Sequence, residues 1–312
     1  MSFIEIILSS GRFSVDIALY TLLPVMIVML CIMKVLETKG IMDIIVKKLA
    51  PIFKPFGLTG MSTFALLQMN FISFAAPLAT LSIMQSRGVS DRHLAATLAM
   101  LLAMAQGNIL YPMIPLGLNW TAAIVISIIG GLCASSLTWY FSGRNLSDKD
   151  SHSSDQESND SSPHSSLIKV INDAGIDAIR LAVGAIPMLT LSIAIVGILK
   201  AAGAVTVLEQ TLLPLLNAVD ISSMFVMPTL AKYLGGGTAY LGVATDLIQQ
   251  GNMSATQINT SAGFLVNTFD LPGVGIFLGL SYRFVRLFKY AIPGILLGIL
   301  VRALLHFFIF NR

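Results

Sequence analysis

The sequence predicts an all-α polytopic membrane protein built from two inverted structural repeats, with broken or re-entrant helices and interfacial amphipathic helices. Three observations carry that prediction. Of the 312 residues, 55% are hydrophobic and only 11% are charged, with a mean hydropathy of +0.81, whereas soluble domains carry about 25% charged residues. Two apolar runs, Met61 to Gln85 and Met224 to Gln250, are long enough to cross a bilayer, for which roughly 20 residues suffice, yet each is interrupted midway by polar residues, proline or glycine. Finally, a shift of 163 residues superposes Pro24 on Pro187, Gly40 on Gly203, Pro51 on Pro214, Met61 on Met224 and Gly88 on Gly251 without a gap. Prolines and glycines punctuate backbone geometry, so their recurrence in register marks repeated structure.

Composition also excludes several functions. A net charge of +3 that resides in loops gives no reason to expect a nucleic-acid partner. Cys31 and Cys133 both fall inside apolar spans, where a lone thiol is a small core residue, so neither a disulfide framework nor a metal site is expected. The four histidines, His93, His152, His164 and His306, have no zinc-ligand spacing and are expected in solvated or capping roles. No nucleophile, base and orienting acid occur together, so no catalytic residues are assigned and the protein is not expected to be an enzyme.

In chain order, Met1 to Arg12 holds Glu5 in a very short apolar run and lacks a small-residue cleavage site, which suggests a retained interfacial lead-in. Ser14 to Leu36 is the first clear span. The basic run Lys39, Lys47, Lys48 and Lys54 follows it, placing that end in the cytoplasm and the N-terminus outside. Between Ile41 and Phe53, charges alternate with isoleucine, valine and leucine as expected of a helix lying in the membrane interface. The first broken element, Met61 to Gln85, comes next, with Gln68, Asn70 and Ser73 leading into Phe74-Ala75-Ala76-Pro77. Ser90 is placed to cap a helix starting at Asp91. That helix meets a second interruption at Gln106-Gly107-Asn108, and a last span, Trp120 to Phe141, closes the half.

Residues 145–166 contain nine serines, five acidic residues, one lysine and no aromatics. Such a stretch cannot bury enough apolar surface to fold and is expected to be a disordered linker. The division is therefore 1–144 for the first membrane repeat, 145–166 for the linker and 167–312 for the second repeat. The segment from Lys39 to Lys54 is basic, whereas its counterpart, Gly203 to Asp220, holds only Glu209 and Asp220. The two repeats should therefore lie inverted in the membrane, as in many secondary transporters.

The run Leu22-Leu23-Pro24-Val25-Met26, the segments Leu49-Ala50-Pro51 and Phe56-Gly57-Leu58, and the glycine-rich stretch Lys232 to Gly242 resemble the nucleoside-recognition, or gate-domain, membrane proteins. The resemblance is closest to forms with two gate units, and the paired spore-maturation membrane proteins are also similar. It covers nearly the whole chain apart from the linker and implies kinship with concentrative nucleoside transporters and with the membrane half of ferrous-iron transporters. The GTP-binding G-x-x-x-x-G-K-[ST] motif of the latter does not occur in the chain.

A helix broken at membrane depth frees backbone groups that lipid cannot satisfy, so such breaks line protein or water-filled cavities. The polar residues at the breaks are accordingly the candidate site. Gln68, Asn70, Ser73, Gln106, Asn108, Lys232 and Thr238 are candidates for solute recognition, against the alternative of interhelical hydrogen bonding. Asp270, Asn267, Thr268 and Asp246 are candidates for ion coupling, because intramembrane carboxylates are rare and mark function. No cofactor is expected beyond a coupling Na⁺ or proton. Lys232 at membrane depth requires a partner, and Asp246 and Asp270 are the carboxylates of the same repeat.

These features together imply a multi-pass protein of the inner (cytoplasmic) membrane that transports a small polar solute, nucleoside-like by resemblance and coupled to Na⁺ or H⁺. The other classes left open are an envelope assembly protein that does not transport and a metal-ion permease. Expected partners are the bilayer, the solute and, as an option the sequence leaves open, a second copy of the chain. For topology, single cysteines placed in the linker and beside Lys47 are expected to be labelled by an impermeant maleimide from the same, cytoplasmic side; labelling from opposite sides would refute the inverted arrangement.

Overall fold

The computed structural model describes residues 3–74, 76–149, 167–204 and 222–311, with positions 207, 210 and 211. All regular structure among the described residues is helical. The linker expected at 145–166 lies outside the described residues from position 150 onward, as does most of the segment from 203 to 220. Among the described residues three helical stretches are long and apolar enough to cross a membrane, Asp91–Leu110, Trp120–Ser142 and Tyr282–Phe310, and this is a membrane protein.

The chain begins with α1 (Phe3–Asp16), which passes through a π-helical turn (Ile17–Leu22) into α2 (Leu23–Thr38). The expected interfacial lead-in is therefore corrected. Residues from Phe3 onward belong to the same helical rod as the first span, because Ile6 and Gly11 pack along a partner helix instead of facing a headgroup layer. That partner is α9 (Leu167–Ala201). Ile6 lies at Gly197, Gly11 at Thr190, and the Cys31 thiol points to the Ile171 carbonyl, so the two rods run antiparallel.

Gly40 turns the chain into α3 (Ile41–Phe53), which buries Met42 and Phe53 and exposes Ile44, Ile52, Lys47 and Lys48, the mixed outer face expected of an interfacial helix. A capping box between Thr59 and Ser62 starts α4 (Gly60–Phe71). After a break, α5 (Ala76–Ser86) follows. Ser90 caps α6 (Asp91–Ala103) by accepting the His93 N–H, and every residue of α6 from Leu94 to Ala103 is buried. A helix apolar on all sides belongs at the centre of a bundle. A second break leads to the short α7 (Gly107–Leu110) and then α8 (Trp120–Leu137).

In the second half, α10 (Val226–Gln249) is interrupted at Gly236, whose φ of 86° and ψ of 179° are non-helical. A Ser254–Gln257 capping box starts α11 (Ala255–Leu265), and α12 (Leu271–Leu278) and α13 (Tyr282–Phe310) complete the chain. The glycines that the sequence aligns also share geometry. Gly40 and Gly203 have φ of 68° and 73°, and Gly88 and Gly251 both have φ of 71°, a left-handed conformation open to glycine at little cost.

Related helices face each other head to tail. The glycines Gly130 of α8 and Gly294 and Gly298 of α13 allow a close crossing: a Cβ on Gly298 would meet the Gly130 carbonyl oxygen at 2.6 Å and the Ala103 and Ala134 methyl groups at 2.9 Å. Farther along, the Ser142 hydroxyl donates to the Tyr290 carbonyl, so this pair is antiparallel too. At one end of the bundle Arg283 and Arg286 of α13 pair with Asp91 at 2.6 and 2.9 Å, and Arg92 donates to the Trp139 carbonyl at 2.8 and 3.0 Å. Gly298→Val is expected to lower stability by about 1–3 kcal/mol through overpacking, seen as a lower melting temperature in detergent. Gly275→Ala in α12, where a Cβ meets nothing within 4 Å, is expected to be neutral or slightly stabilising.

Candidate functional site

Four helix interruptions meet at one place. The first lies between α4 and α5, the second between α6 and α7, the third at Gly236 and the fourth between α11 and α12. Gly107, the first residue of α7, lies on the carbonyls of the first break: a Cβ there would meet Asn70 O at 2.7 Å and Ile72 O at 3.0 Å. At the third break, Gly237 lies against the Gln106 amide, where a Cβ would come within 2.7 Å of Nε2, and Gly236 faces Asp270 and Pro272. Glycine is needed at 107 because backbone there must approach backbone, and at 236 because φ is 86°.

The second and fourth breaks satisfy one another's backbone. Thr268 donates its N–H to Leu102 O at 3.2 Å and its hydroxyl to Met104 O at 3.1 Å, while Gln106 Nε2 donates to Asn267 O at 3.2 Å. The Ala105 N–H is taken by Ser127 Oγ at 2.8 Å. Arg302, fully buried in α13, supplies the remaining donors: Nη1 donates to Ala103 O at 2.6 Å and Nη2 to Val266 O. One guanidinium thus sits at the C-terminal ends of both α6 and α11, where orphan carbonyls and the negative ends of two helix dipoles favour a cation.

The second buried charge system is an ion pair. Lys232, one turn before the Gly236 break and 0% exposed, donates to Asp270 Oδ2; Asp270 is 5% exposed and its Oδ1 accepts the Gly273 N–H at 2.7 Å, capping α12. Of the two carboxylates named as partners for Lys232, the structure uses Asp270. Asp246 lies ten residues beyond Gly236 in α10, about 15 Å along the helix at 1.5 Å per residue.

A cavity of about 300 Å³ opens at the junction of the breaks. Ser73, Gln106, Asn108, Thr238, Thr268 and Asp270 line it, so six of the sequence-derived candidates come together. The others are placed differently. Gln68 accepts the Thr80 hydroxyl at 2.8 Å across the first hairpin, and Asn70 donates to Leu66 O at 3.2 Å. Asn267 donates to Phe264 O at 2.6 Å and accepts the Phe269 N–H at 3.0 Å, spending its amide on the fourth break. Lys232 stands behind Asp270, outside the cavity lining.

Two residues escaped sequence reasoning. Arg302 lies in the last apolar span and Arg180, which lines the cavity from α9, pairs with Asp177 at 3.8 Å. The rule that intramembrane charges mark function, applied to every span, would have singled out both. Of the described histidines, His93 Nδ1 bonds Gly57 O at 2.8 Å and His306 Nδ1 bonds Asn259 O at 2.7 Å; both sit on backbone carbonyls. Among the described residues no group of three or more His, Cys, Asp or Glu side chains is placed to hold a metal ion.

Comparison with known proteins agrees with this architecture. Residues 19–142 match the family model described as "Gate: Nucleoside recognition". Solved structures of the concentrative nucleoside transporter CNTnw share the fold. An inward-facing, substrate-bound state gives a TM-score of 0.64 at 17% identity, covering 92% of this chain and 72% of that one. An outward-facing state of a CNTnw variant gives 0.67 at 16% identity, with 98% and 85% covered. An intermediate state of another variant gives 0.68 at 15% identity, covering 99% and 84%. No curated protein sequence matches the chain.

Arg302→Leu strands the Ala103 and Val266 carbonyls together, and each buried unsatisfied group costs about 1–3 kcal/mol. The expected result is a large fall in melting temperature in detergent. Arg302→Lys should restore only part, since one ammonium lacks the planar fork that reaches both carbonyls. An unchanged melting temperature for Arg302→Leu would show that the two helix ends are satisfied without it.

Proposed function

We propose that this protein is a transporter of a small, neutral, polar solute of nucleoside type, which binds in the cavity at the junction of the four helix breaks. The observation that carries the proposal is the chemistry of that cavity. Its volume, about 300 Å³, lies at the small end of the roughly 300–1,000 Å³ typical of small-molecule sites. The buried carboxylate of its lining, Asp270, is matched by Lys232, and the exposed Arg180 stands 3.8 Å from Asp177, so the buried part of the lining presents no free carboxylate for a cationic solute. What it offers instead are amides and hydroxyls: Gln106, Asn108, Ser73 and Thr238.

Asn108 is the central recognition group in this reading. Its buried Oδ1 has no hydrogen-bond partner among the described residues although the residue lines the cavity, and a buried acceptor without a partner calls for one. A solute hydroxyl or amine would supply it. The likeness of fold to CNTnw and the gate-family match support the nucleoside class. A metal-ion permease would instead need converging carboxylate, thiol or imidazole ligands.

The test is thermal stabilisation of the purified protein against a panel of nucleosides, amino acids and sugars. A ligand at 100 times its Kd adds about 2.7 kcal/mol, an easily measured shift. A nucleoside or similar neutral solute is expected to stabilise the wild type, and Asn108→Ala is expected to keep the unliganded melting temperature while losing most of that shift. Stabilisation by none of the panel would favour the envelope-scaffold alternative.

A further inference from the structure

We propose that the Lys232 ammonium serves as a tethered cation, permanently filling at Asp270 the place that a dissolved coupling ion would take, so that no sodium ion binds at this carboxylate. The inference rests on the transporter reading for its meaning and on geometry for its evidence. Asp270 is the carboxylate that lines the cavity, and the all-oxygen cation site expected from Asp270, Asn267 and Thr268 would be centred on it. Each prospective ligand has another partner. Oδ1 of Asp270 accepts the Gly273 N–H and Oδ2 accepts from Lys232. The Asn267 amide oxygen takes the Phe269 N–H, and the Thr268 hydroxyl donates to Met104 O.

The charge balance follows from the position of the lysine. Lys232 belongs to the half of α10 before the Gly236 break, whereas Asp270 caps α12 beyond the fourth break, so the pair bridges two of the interrupted elements. For sodium to displace the ammonium, the ion would have to shed its water, and the lysine, 0% exposed, would be left buried without its carboxylate. The helix N-terminus stabilises the Asp270 carboxylate, and the chain itself supplies its positive partner. Arg302 provides a second fixed cation nearby, holding the carbonyls of Ala103 and Val266 that a sodium ion would otherwise find free at these breaks.

Removing the ammonium should therefore create the ion site that the wild type lacks. The experiment compares melting temperatures of the purified full chain in sodium chloride and in choline chloride at equal ionic strength, with no solute present. The wild type is expected to melt at the same temperature in both salts, and so is Lys232→Arg, which keeps the charge. Lys232→Ala is expected to melt lower in choline and to recover by several degrees in sodium, and Lys232→Ala/Asp270→Asn is expected to lose that recovery. A sodium-specific rise in the wild type that Asp270→Asn abolishes would overturn the proposal, as would a folded Lys232→Ala indifferent to sodium. If Lys232→Ala does not fold, the wild-type and Lys232→Arg salt comparisons still decide. Because no solute enters the measurement, a failed solute screen and a failed tethered-cation reading are told apart.

Discussion

The satisfaction of freed backbone carbonyls deep in the fold is the constraint on which the rest of this structure depends. A helix that stops inside a bilayer leaves acceptors that water would solvate and lipid cannot. Here α6 and α11 stop at the same depth of the bundle, and Arg302 reaches one carbonyl of each. The segments that follow then complete each other through Thr268 and Gln106. Neither break is self-sufficient. Because each half satisfies the other's interruption, the cavity exists only when both halves are folded and docked.

That reciprocity is what an inverted pair of repeats produces. In an antiparallel pair of related elements, contacts cluster where residue i meets the region of residue i + 163. The rods α1–α2 and α9 touch at Ile6 with Gly197 and Cys31 with Ile171; α8 and α13 touch at Gly130 with Gly298 and Ser142 with Tyr290; the breaks touch at Met104 with Thr268. All three sets centre on repeat-related positions, as a two-fold axis passing between them requires. Departures from symmetry then carry the chemistry. Gly107 and Asp270 are counterparts by the 163-residue shift, as are Met69 and Lys232: one half holds the ion pair, and the other holds a methionine and a glycine on which backbone packs.

Much of this was legible in the sequence, for a physical reason. Glycine, proline and capping residues act locally, so the breaks, the cap at Ser90 and the recurring glycines at 40, 88, 203 and 251 could be placed without knowing the fold. The need of Lys232 for a carboxylate was equally legible, since it follows from desolvation alone. Which carboxylate was not. Asp246 is nearer in sequence, but ten helical residues past the break carry it away, whereas Asp270 is returned to the break by the turn into α11. Arg302 was missed because its partners are carbonyls, which no side-chain pattern reveals, and Gln68 and Asn70 look like recognition groups until the hairpin brings Thr80 to Gln68 and the Asn70 amide turns back on the Leu66 carbonyl of its own helix. The lead-in at Phe3 was misjudged because its apolar run is short, and only α9 alongside it extends the rod.

Charge neutrality at the cavity has a mechanical consequence as well as a chemical one. An uncompensated charge beside the break would gain or lose solvation whenever the cavity opened, setting a barrier of several kcal/mol against the motion. Lys232 is joined to Asp270 and Arg302 is lodged on carbonyls, so neither buried cation stands without a partner. A motion at Gly236, whose φ of 86° lies outside the helical region, would then change what the amides of Gln106 and Asn108 face without stripping an ion of its counter-charge. In this chain the internal pairing of buried charge is what would keep such a motion low in cost.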